Sequence, residues 1–508
     1  MQKDSFDTVG SALQKGTPWL TEGRFLIFAA LILCVCLFFS FYHLGVHPAR
    51  DWDEARHGVS AYEMLRQGNY IGNTYQYQPD YYNLKPPLSF YGVMLGYRLF
   101  GFNLFGMRFY SAAAFALTAI VLFGFCRFRY GRASALAVLA ALTVCAPFFR
   151  YHFARHGDAD ALFGLFCVVS LLAMLLIQEY PWAMPACSFA FSLAFLAKSW
   201  HALFVPPIVF LYLLINRLFL RLKPWQWLSF VAAGALPILL WAALRYQYDG
   251  VKFFVEMVQV DLLNRSASVL EGHSGGFGFY FRLLFFQTEV TGFFPLVMGL
   301  GYLIARLGVL DRNRWLPLSP KLAADLPFWG LWAGVPLLLF SVVKTKIAWY
   351  VMPVLFPMAV LGALLWAHFW ERARKPSAKI LLGVLAVAVL LTSGNQTWEQ
   401  INTYYEDPLQ SLMNDSMQEL APTRGEQVCL SIDASQTPYG GTQKYVLMGE
   451  LLFDWKVFMM NGEQFLADPS TTVIITDEGV EEEPSLLSAG CQIIAEGNGY
   501  RIYQKSGK

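Results

Sequence analysis

Charge is scarce in this chain. Of its 508 residues, Asp, Glu, Lys and Arg together make up 15%, against about 25% in a soluble globular chain. That shortage excludes a charge-rich disordered protein and weighs against a purely soluble enzyme. Cysteine is also rare, with eight residues, too few in so long a chain for a disulfide-stapled miniprotein. There is no collagen-like glycine period, no internal repeat and no low-complexity tract. What remains is apolar. Hydrophobic residues are 56% and aromatics 16%, with 43 Phe and 15 Trp, a composition suited to a lipid-facing chain. The net charge of +2 conceals two regions in different solvents. Residues 394–508 hold 17 acids and 6 bases, net −11, and residues 1–393 hold 19 acids and 32 bases, net +13.

Apolar runs fall at about 24–44, 104–126, 133–147, 161–177, 182–197, 201–216, 226–244, 283–305, 326–343, 347–369 and 379–393. A helix needs ~20 apolar residues to cross ~30 Å of hydrocarbon. The runs predict a polytopic α-helical membrane protein of about 11–13 transmembrane helices. External juxtamembrane helices and a small C-terminal α/β soluble domain complete the expected fold. The first run reads as a retained helix rather than a cleaved signal. Four basic clusters should face the cytoplasm: Arg127, Arg129 and Arg132; Arg217, Arg221 and Lys223; Arg306, Arg312, Arg314 and Lys321; Arg372, Arg374, Lys375 and Lys379. Eleven crossings from a cytoplasmic N-terminus put every cluster inside, provided the short run 88–100 does not cross. The expected organisation is a cytoplasmic N-terminus at 1–23, a transmembrane domain at 24–393 with a catalytic external loop at about 45–103, and an external soluble domain at 394–508. That last domain carries strand-like runs at 427–432, 472–476, 491–495 and 500–503. An oxidising compartment would allow its Cys429 and Cys491 to pair or to remain free.

The external segments concentrate unusual charges. The first reads Arg50-Asp51-Trp52-Asp53-Glu54-Ala55-Arg56-His57 and later Lys85-Pro86-Pro87-Leu88. The next holds Arg155-His156-Gly157-Asp158-Ala159-Asp160. Lys198 ends one apolar run, and Lys344-Thr345-Lys346 lies between two others. Asp51 or Asp53 can cap a helix, and any single lysine can snorkel. Together with Arg56 and Arg155, the lysines are better explained by an anion at the outer membrane face, with phosphate the natural candidate. Asp53, Glu54 and Asp160 would then supply base chemistry and position an acceptor. A transporter would place its charges near the midplane on broken helices, yet these runs are largely free of acids.

Asp53-Glu54-Ala55-Arg56 followed by Lys85-Pro86-Pro87-Leu88 resembles the C-type membrane glycosyltransferases. The closest branch is that of the lipid A aminoarabinose transferases and related protein mannosyltransferases. The likeness extends over most of residues 45–360, through Arg155 with Asp160, Phe195-Leu-Ala-Lys198, Glu271-Gly-His273, and Lys344-Thr-Lys346 with Tyr350 and Pro353. The resemblance implies sugar transfer from a polyprenyl-phosphate carrier to a lipid, glycan or protein acceptor. The reaction would occur at the outer face of a bacterial inner membrane, with the C-terminal domain periplasmic and no nucleic acid involved. It implies Asp53 as the base and Asp160 as the second acidic position. Arg56 and Lys85 match residues near the carrier phosphate, Lys198 matches a membrane-edge residue of the same site, and Arg155 and Lys346 join them as candidate phosphate contacts. His273 matches a residue that can sit at a metal site in that branch and is a candidate metal or acceptor contact. Leu84 stands where that branch often has Glu, and Gly275-Gly276 where it has Pro. No cofactor is required, although a divalent metal is compatible. The expected chemistry is an inverting displacement, and the alternative function is a lipid-head-group transporter of the cell envelope.

Overall fold

The computed structural model describes residues 20–150, 152–269, 272–287, 298–299, 301–302, 318–437 and 440–506. The predicted N-terminal segment up to residue 19, most of the run 283–305, Glu271, and Arg306, Arg312 and Arg314 lie outside the described residues.

Every other predicted apolar run is helical. They form α1 (Glu22–Phe41), α4 (Leu104–Arg129), α5 (Arg132–Thr143), α6 (Asp160–Leu175), α7 (Ala183–Lys198), α8 (Val205–Ile215), α9 (Pro224–Asp249), α10 (Pro320–Val342), α11 (Met352–Arg372) and α12 (Pro376–Asn402). Two further helices precede α4 in the chain, α2 (Asp53–Gln67) and α3 (Leu88–Phe100). Among the described residues, eight helical stretches are long and apolar enough to cross a membrane. This count is below the expected 11–13 for identifiable reasons. α6 has only 16 residues, α7 and α8 form one broken 33-residue stretch, and the run 283–305 is mostly undescribed. The protein is an integral membrane protein.

Local chemistry sets the helix ends. Thr21 accepts from the Arg24 N–H and opens α1, and Asn103 accepts from the Gly106 N–H and opens α4. α4 has 26 residues, about 39 Å at 1.5 Å per residue, enough to span the hydrocarbon. Its last turn carries Arg129, which pairs with Glu179 and Asp325, while Arg127 pairs with Glu22. These ion pairs lie at the opposite end of α4 from the cavity described below. α3, which the sequence placed outside the crossings, packs along the start of α4. A Cβ on Gly96 would come within 1.9 Å of the Gly106 carbonyl oxygen, so the two backbones touch as small residues permit.

The C-terminal region is an α/β unit. Its five-stranded sheet runs β4-β3-β5-β7-β6, from β3 (Gln427–Ser431), β4 (Lys456–Met459), β5 (Thr471–Asp477), β6 (Cys491–Gly497) and β7 (Tyr500–Lys505). A two-stranded hairpin, β1 (Thr74–Tyr75) and β2 (Gln78–Pro79), lies between α2 and α3. β3 pairs parallel with β4 and β5, and β7 pairs antiparallel with β5 and β6. Of the five strands in the larger sheet, only β4 escaped the sequence pattern, being a four-residue edge strand. Cys429 and Cys491 are free thiols. They sit on β3 and β6 with two strands between them, roughly 14 Å at the usual strand spacing, beyond disulfide reach. The unit is joined to the membrane part by a shared core. One buried cluster runs from Val59 and Met64 of α2 through Val93 and Met107 to Leu447, Val428, Val473 and Ile502. Leu447 lies on α14 (Gln443–Phe453), which follows α13 (Pro408–Asp415) in the chain. Burying one such leucine is worth about 1.5–3 kcal/mol, so this is a packed interface.

Candidate active site

Segments that the sequence placed on one side of the membrane meet in a single cavity of about 520 Å³. Its lining includes Asp53, Lys85, Asp158 and His152, together with Lys198, His201, Asp261 and Arg265.

Asp53 is the first residue of α2, where the helix N-terminus favours a carboxylate. It lies deep in the protein but faces the cavity, so 41% of its side chain stays accessible. Lys85 is held by the Pro86-Pro87 pair that leads into α3. Its Nζ lies 3.3 Å from Asp53 Oδ1, 3.6 Å from Asp158 Oδ1 and 3.1 Å from Asn83 Oδ1. His152 Nδ1 lies 2.8 Å from Asp158 Oδ2 and 3.8 Å from Asp53 Oδ2, and its ring stacks on Trp349 at 3.9 Å. Burial pushes the Asp53 carboxyl up and Asp158 adds to this, yet Lys85, His152 and Lys198 outweigh both and hold it below its ordinary value. Asp158 is likewise buried, but Lys85 and His152 hold it well below the usual carboxylate range. Lys85 is half-buried; desolvation opposes its charge, but Asp158 and Asp53 outweigh it, so it stays charged. Burial opposes the charged form of His152, but Asp158 and Asp53 raise its pKa overall. The two carboxylates therefore stand ionised around an ammonium.

Asp53, His152 and Asp158 bring ligand atoms within 4.8 Å of one another. Two carboxylates and an imidazole suit a divalent ion. Lys85 already supplies positive charge at that point. His273 is exposed at the cavity wall, outside this group.

Several residues singled out in the sequence sit elsewhere or act otherwise. Asp160 does not line the cavity. As the first residue of α6 it is paired with Lys198 at the end of α7, while Asp158, two residues earlier, turns into the cavity. Of the two acids, Asp158 alone lines the cavity. Glu54 is fully buried and grips Arg108 at 2.8 and 2.9 Å, also receiving the N–H groups of Arg50 and Gly157. Although burial raises its pKa, Arg108 brings it down to about 2. Glu54 is therefore an anchor for the start of α2 rather than a catalytic group. Arg56 reaches the cavity wall, but its guanidinium forks onto Asp80 at 2.8 and 2.9 Å between the rings of Tyr75 and Tyr82. Arg155 leaves the expected phosphate set. It donates to the carbonyls of Phe39 and Tyr42 at 2.8 and 2.7 Å, closing the C-terminal end of α1. Lys346 likewise donates to the carbonyls of Phe340, Ser341 and Val343 at the end of α10. Both cations satisfy orphaned helix carbonyls, which charge counting along a sequence does not distinguish from ligand binding.

Arg265 was missed. It lines the cavity, pairs with Asp261 at 3.1 Å and reaches the Tyr350 hydroxyl at 3.4 Å. Its sequence signal was an i,i+4 acid–base pair in the segment after α9. Lys85, Lys198, Arg265 and Tyr350 thus give the cavity donors suited to a phosphate.

Arg108 anchors this whole corner, since it also donates to the carbonyls of Leu44, His47 and Pro48. Breaking a buried ion pair by removing one partner costs about 3–5 kcal/mol. Arg108→Met is expected to lower the melting temperature by several degrees, and adding Glu54→Gln should recover part of the loss. Thermal unfolding in detergent checks this, and an unshifted Arg108→Met melt would remove the anchoring role.

A family model described as dolichyl-phosphate-mannose-protein mannosyltransferase matches residues 84–241. An undecaprenyl phosphate-α-4-amino-4-deoxy-L-arabinose arabinosyl transferase of Aeromonas salmonicida is 28% identical over 378 residues, covering 70% of this chain and 64% of that protein. The corresponding protein of Aeromonas hydrophila is 27% identical over 70% of this chain. The alignment therefore spans less than two thirds of either Aeromonas relative. Among solved structures, ArnT from Cupriavidus metallidurans bound to undecaprenyl phosphate superposes with a TM-score of 0.66 at 15% identity, covering 95% of this chain and 98% of that one. The archaeal oligosaccharyltransferase AglB from Archaeoglobus fulgidus, in complex with an inhibitory peptide and a dolichol-phosphate, follows with a TM-score of 0.53 at 9% identity. It covers 92% of this chain and 70% of that one. These structures share the fold.

Proposed function

We propose that this chain, one of the C-type-like membrane glycosyltransferases, transfers a sugar from a polyprenyl-phosphate donor to an envelope acceptor at the outer face of a bacterial inner membrane. The termini follow from this reading, with the N-terminus cytoplasmic and the 394–508 domain periplasmic. The observation that carries it is the accessible Asp53 carboxylate set 3.3 Å from a half-buried Lys85 in a cavity with further cations. The relatives named as arabinosyl transferases, and the neighbouring structure bound to undecaprenyl phosphate, support the same donor class.

The donor phosphate lies toward Lys85, Arg265 and Tyr350, with Lys198 at the cavity edge. An acceptor hydroxyl or amine lies against Asp53. Its lone pair attacks the anomeric carbon, its proton passes to the Asp53 carboxylate, and the bond between that carbon and the phosphate oxygen breaks. The polyprenyl phosphate leaves with the bonding electrons, and Lys85 and Arg265 stabilise the charge that gathers on it. Asp158, itself held by His152, keeps Lys85 charged and in place. A single displacement inverts the sugar carbon. Transport of an intact lipid is less favoured, because the charges gather at the loop end of the bundle.

The test uses the purified protein in nanodiscs with synthetic polyprenyl-phosphate sugars and envelope extract as acceptor. Protein-dependent release of polyprenyl phosphate, with the product anomer inverted by NMR, is the expected result. Retained configuration would overturn direct displacement, and movement of uncleaved donor across vesicles would favour transport.

A further inference from the structure

The residue just before the base has an uncommon backbone. Trp52 has φ 59° and ψ −114°, values of the first central position of a type II′ turn, where glycine is at ease and a side chain is not. Asp51 holds that turn. Its Oδ1 accepts the Trp52 N–H at 2.9 Å and the N–H of Gln443 at 3.0 Å. Gln443 belongs to the C-terminal domain and is the first residue of α14, whose own cap residue, Thr442, offers no side-chain bond. Asp51 therefore caps α14 across the interface. Lys444 stands behind it, 3.9 Å from Asp51 and 2.9 Å from Asp407, with all three side chains buried. The fit is close: a Cβ on Gly441 would meet Asp51 Oδ2 at 2.4 Å.

We propose that the C-terminal domain is a working part of the catalytic site: through the start of α14 and Lys444 it fixes Asp51, which locks the Trp52 turn and so aims Asp53 into the cavity. The proposal rests on the reading of Asp53 as the base. Lys444 and Asp51 are positioning residues. Their loss should lower the rate of the chemical step and leave donor affinity largely alone, because Lys85 and Arg265 do not depend on α14.

The experiment compares full-length wild type, Lys444→Met, Gly441→Ala and the pair Lys444→Met with Trp52→Gly in nanodiscs. The readouts are kcat and donor KM for transfer, and hydrogen exchange over residues 50–56. Lys444→Met and Gly441→Ala are expected to lower kcat about tenfold or more with donor KM within about twofold, and to speed exchange at 50–56 while β5 stays protected. Glycine tolerates the turn without the clamp, so the kcat penalty of Lys444→Met should shrink at least threefold in the Trp52→Gly background. If Lys444→Met does not fold, Gly441→Ala carries the test by displacing Asp51. Unchanged kcat or unchanged exchange in a folded variant overturns the clamp, as does an undiminished penalty beside Trp52→Gly. A wild type that transfers no sugar overturns the reading of Asp53 instead, and the exchange result then still judges the clamp.

Discussion

Asp53→Asn is expected to reduce sugar transfer by at least ~10³-fold while the protein still folds and binds its donor. General-base help is worth roughly 10²–10⁴-fold, and the amide can neither take the acceptor's proton nor keep its charge balance with Lys85. The fold should survive for a stated reason. Lys85 keeps Asp158 at 3.6 Å and Asn83 at 3.1 Å, so its ammonium is not left alone. The start of α2 keeps the Glu54–Arg108 pair. What α2 does lose is one carboxylate at its N-terminus, about 0.3–1 kcal/mol. Transfer rates and a thermal melt measured on one preparation check both halves. A well-folded Asp53→Asn protein retaining a tenth or more of the wild-type rate would sink the assignment.

Lys85→Met should have the next largest effect and should act on three quantities. Removing a preorganised cation from the leaving group costs about 2.7–4 kcal/mol, a factor of roughly 10²–10³ in kcat. Donor affinity should also fall, since the phosphate loses a partner in the ground state. The third quantity is the pH profile. Asp53 now sits below its ordinary value because Lys85, His152 and Lys198 outweigh burial and Asp158. Without Lys85 the raising influences gain, and the Asp53 pKa moves up. Activity requires the ionised carboxylate and is lost as pH falls through that pKa, so the acid limb of kcat/KM should shift to higher pH. An acid limb that stays put, or moves to lower pH, would contradict the coupling of the two side chains. Lys85→Arg, which keeps the charge but not the shape, should hold the acid limb near that of the wild type and still lose rate.

The helices and the polar chemistry differed in how legible they were. Length and hydrophobicity fix a crossing helix almost by themselves, so the apolar runs from 24–44 to 379–393 were readable wherever the structure describes them. The sheet was visible through β3, β5, β6 and β7, whose apolar runs exceed local noise, and β4 was not, at four residues. The site was half legible. Asp53 and Lys85 stood out because a charged motif before a Pro pair is rare beside a membrane. Asp158 and Asp160 could not be separated, because which of them enters the cavity depends on where α6 begins. Arg155 and Lys346 looked like phosphate ligands because a helix end that needs its carbonyls satisfied is invisible until the partner helix is placed. The clamp between Asp51 and α14 joins residues 392 positions apart, a separation no local pattern reports.

The central claim is transfer from a polyprenyl carrier with Asp53 as base. It is tested most directly by mass spectrometry of envelope lipids, glycans and glycoproteins from three strains: one lacking the protein, one restored with it, and one restored with Asp53→Asn. The expected result is a single-sugar mass increment on one acceptor class, present only with the intact protein. An increment that returns equally with Asp53→Asn, or no increment in any fraction alongside an accumulating lipid, would contradict it.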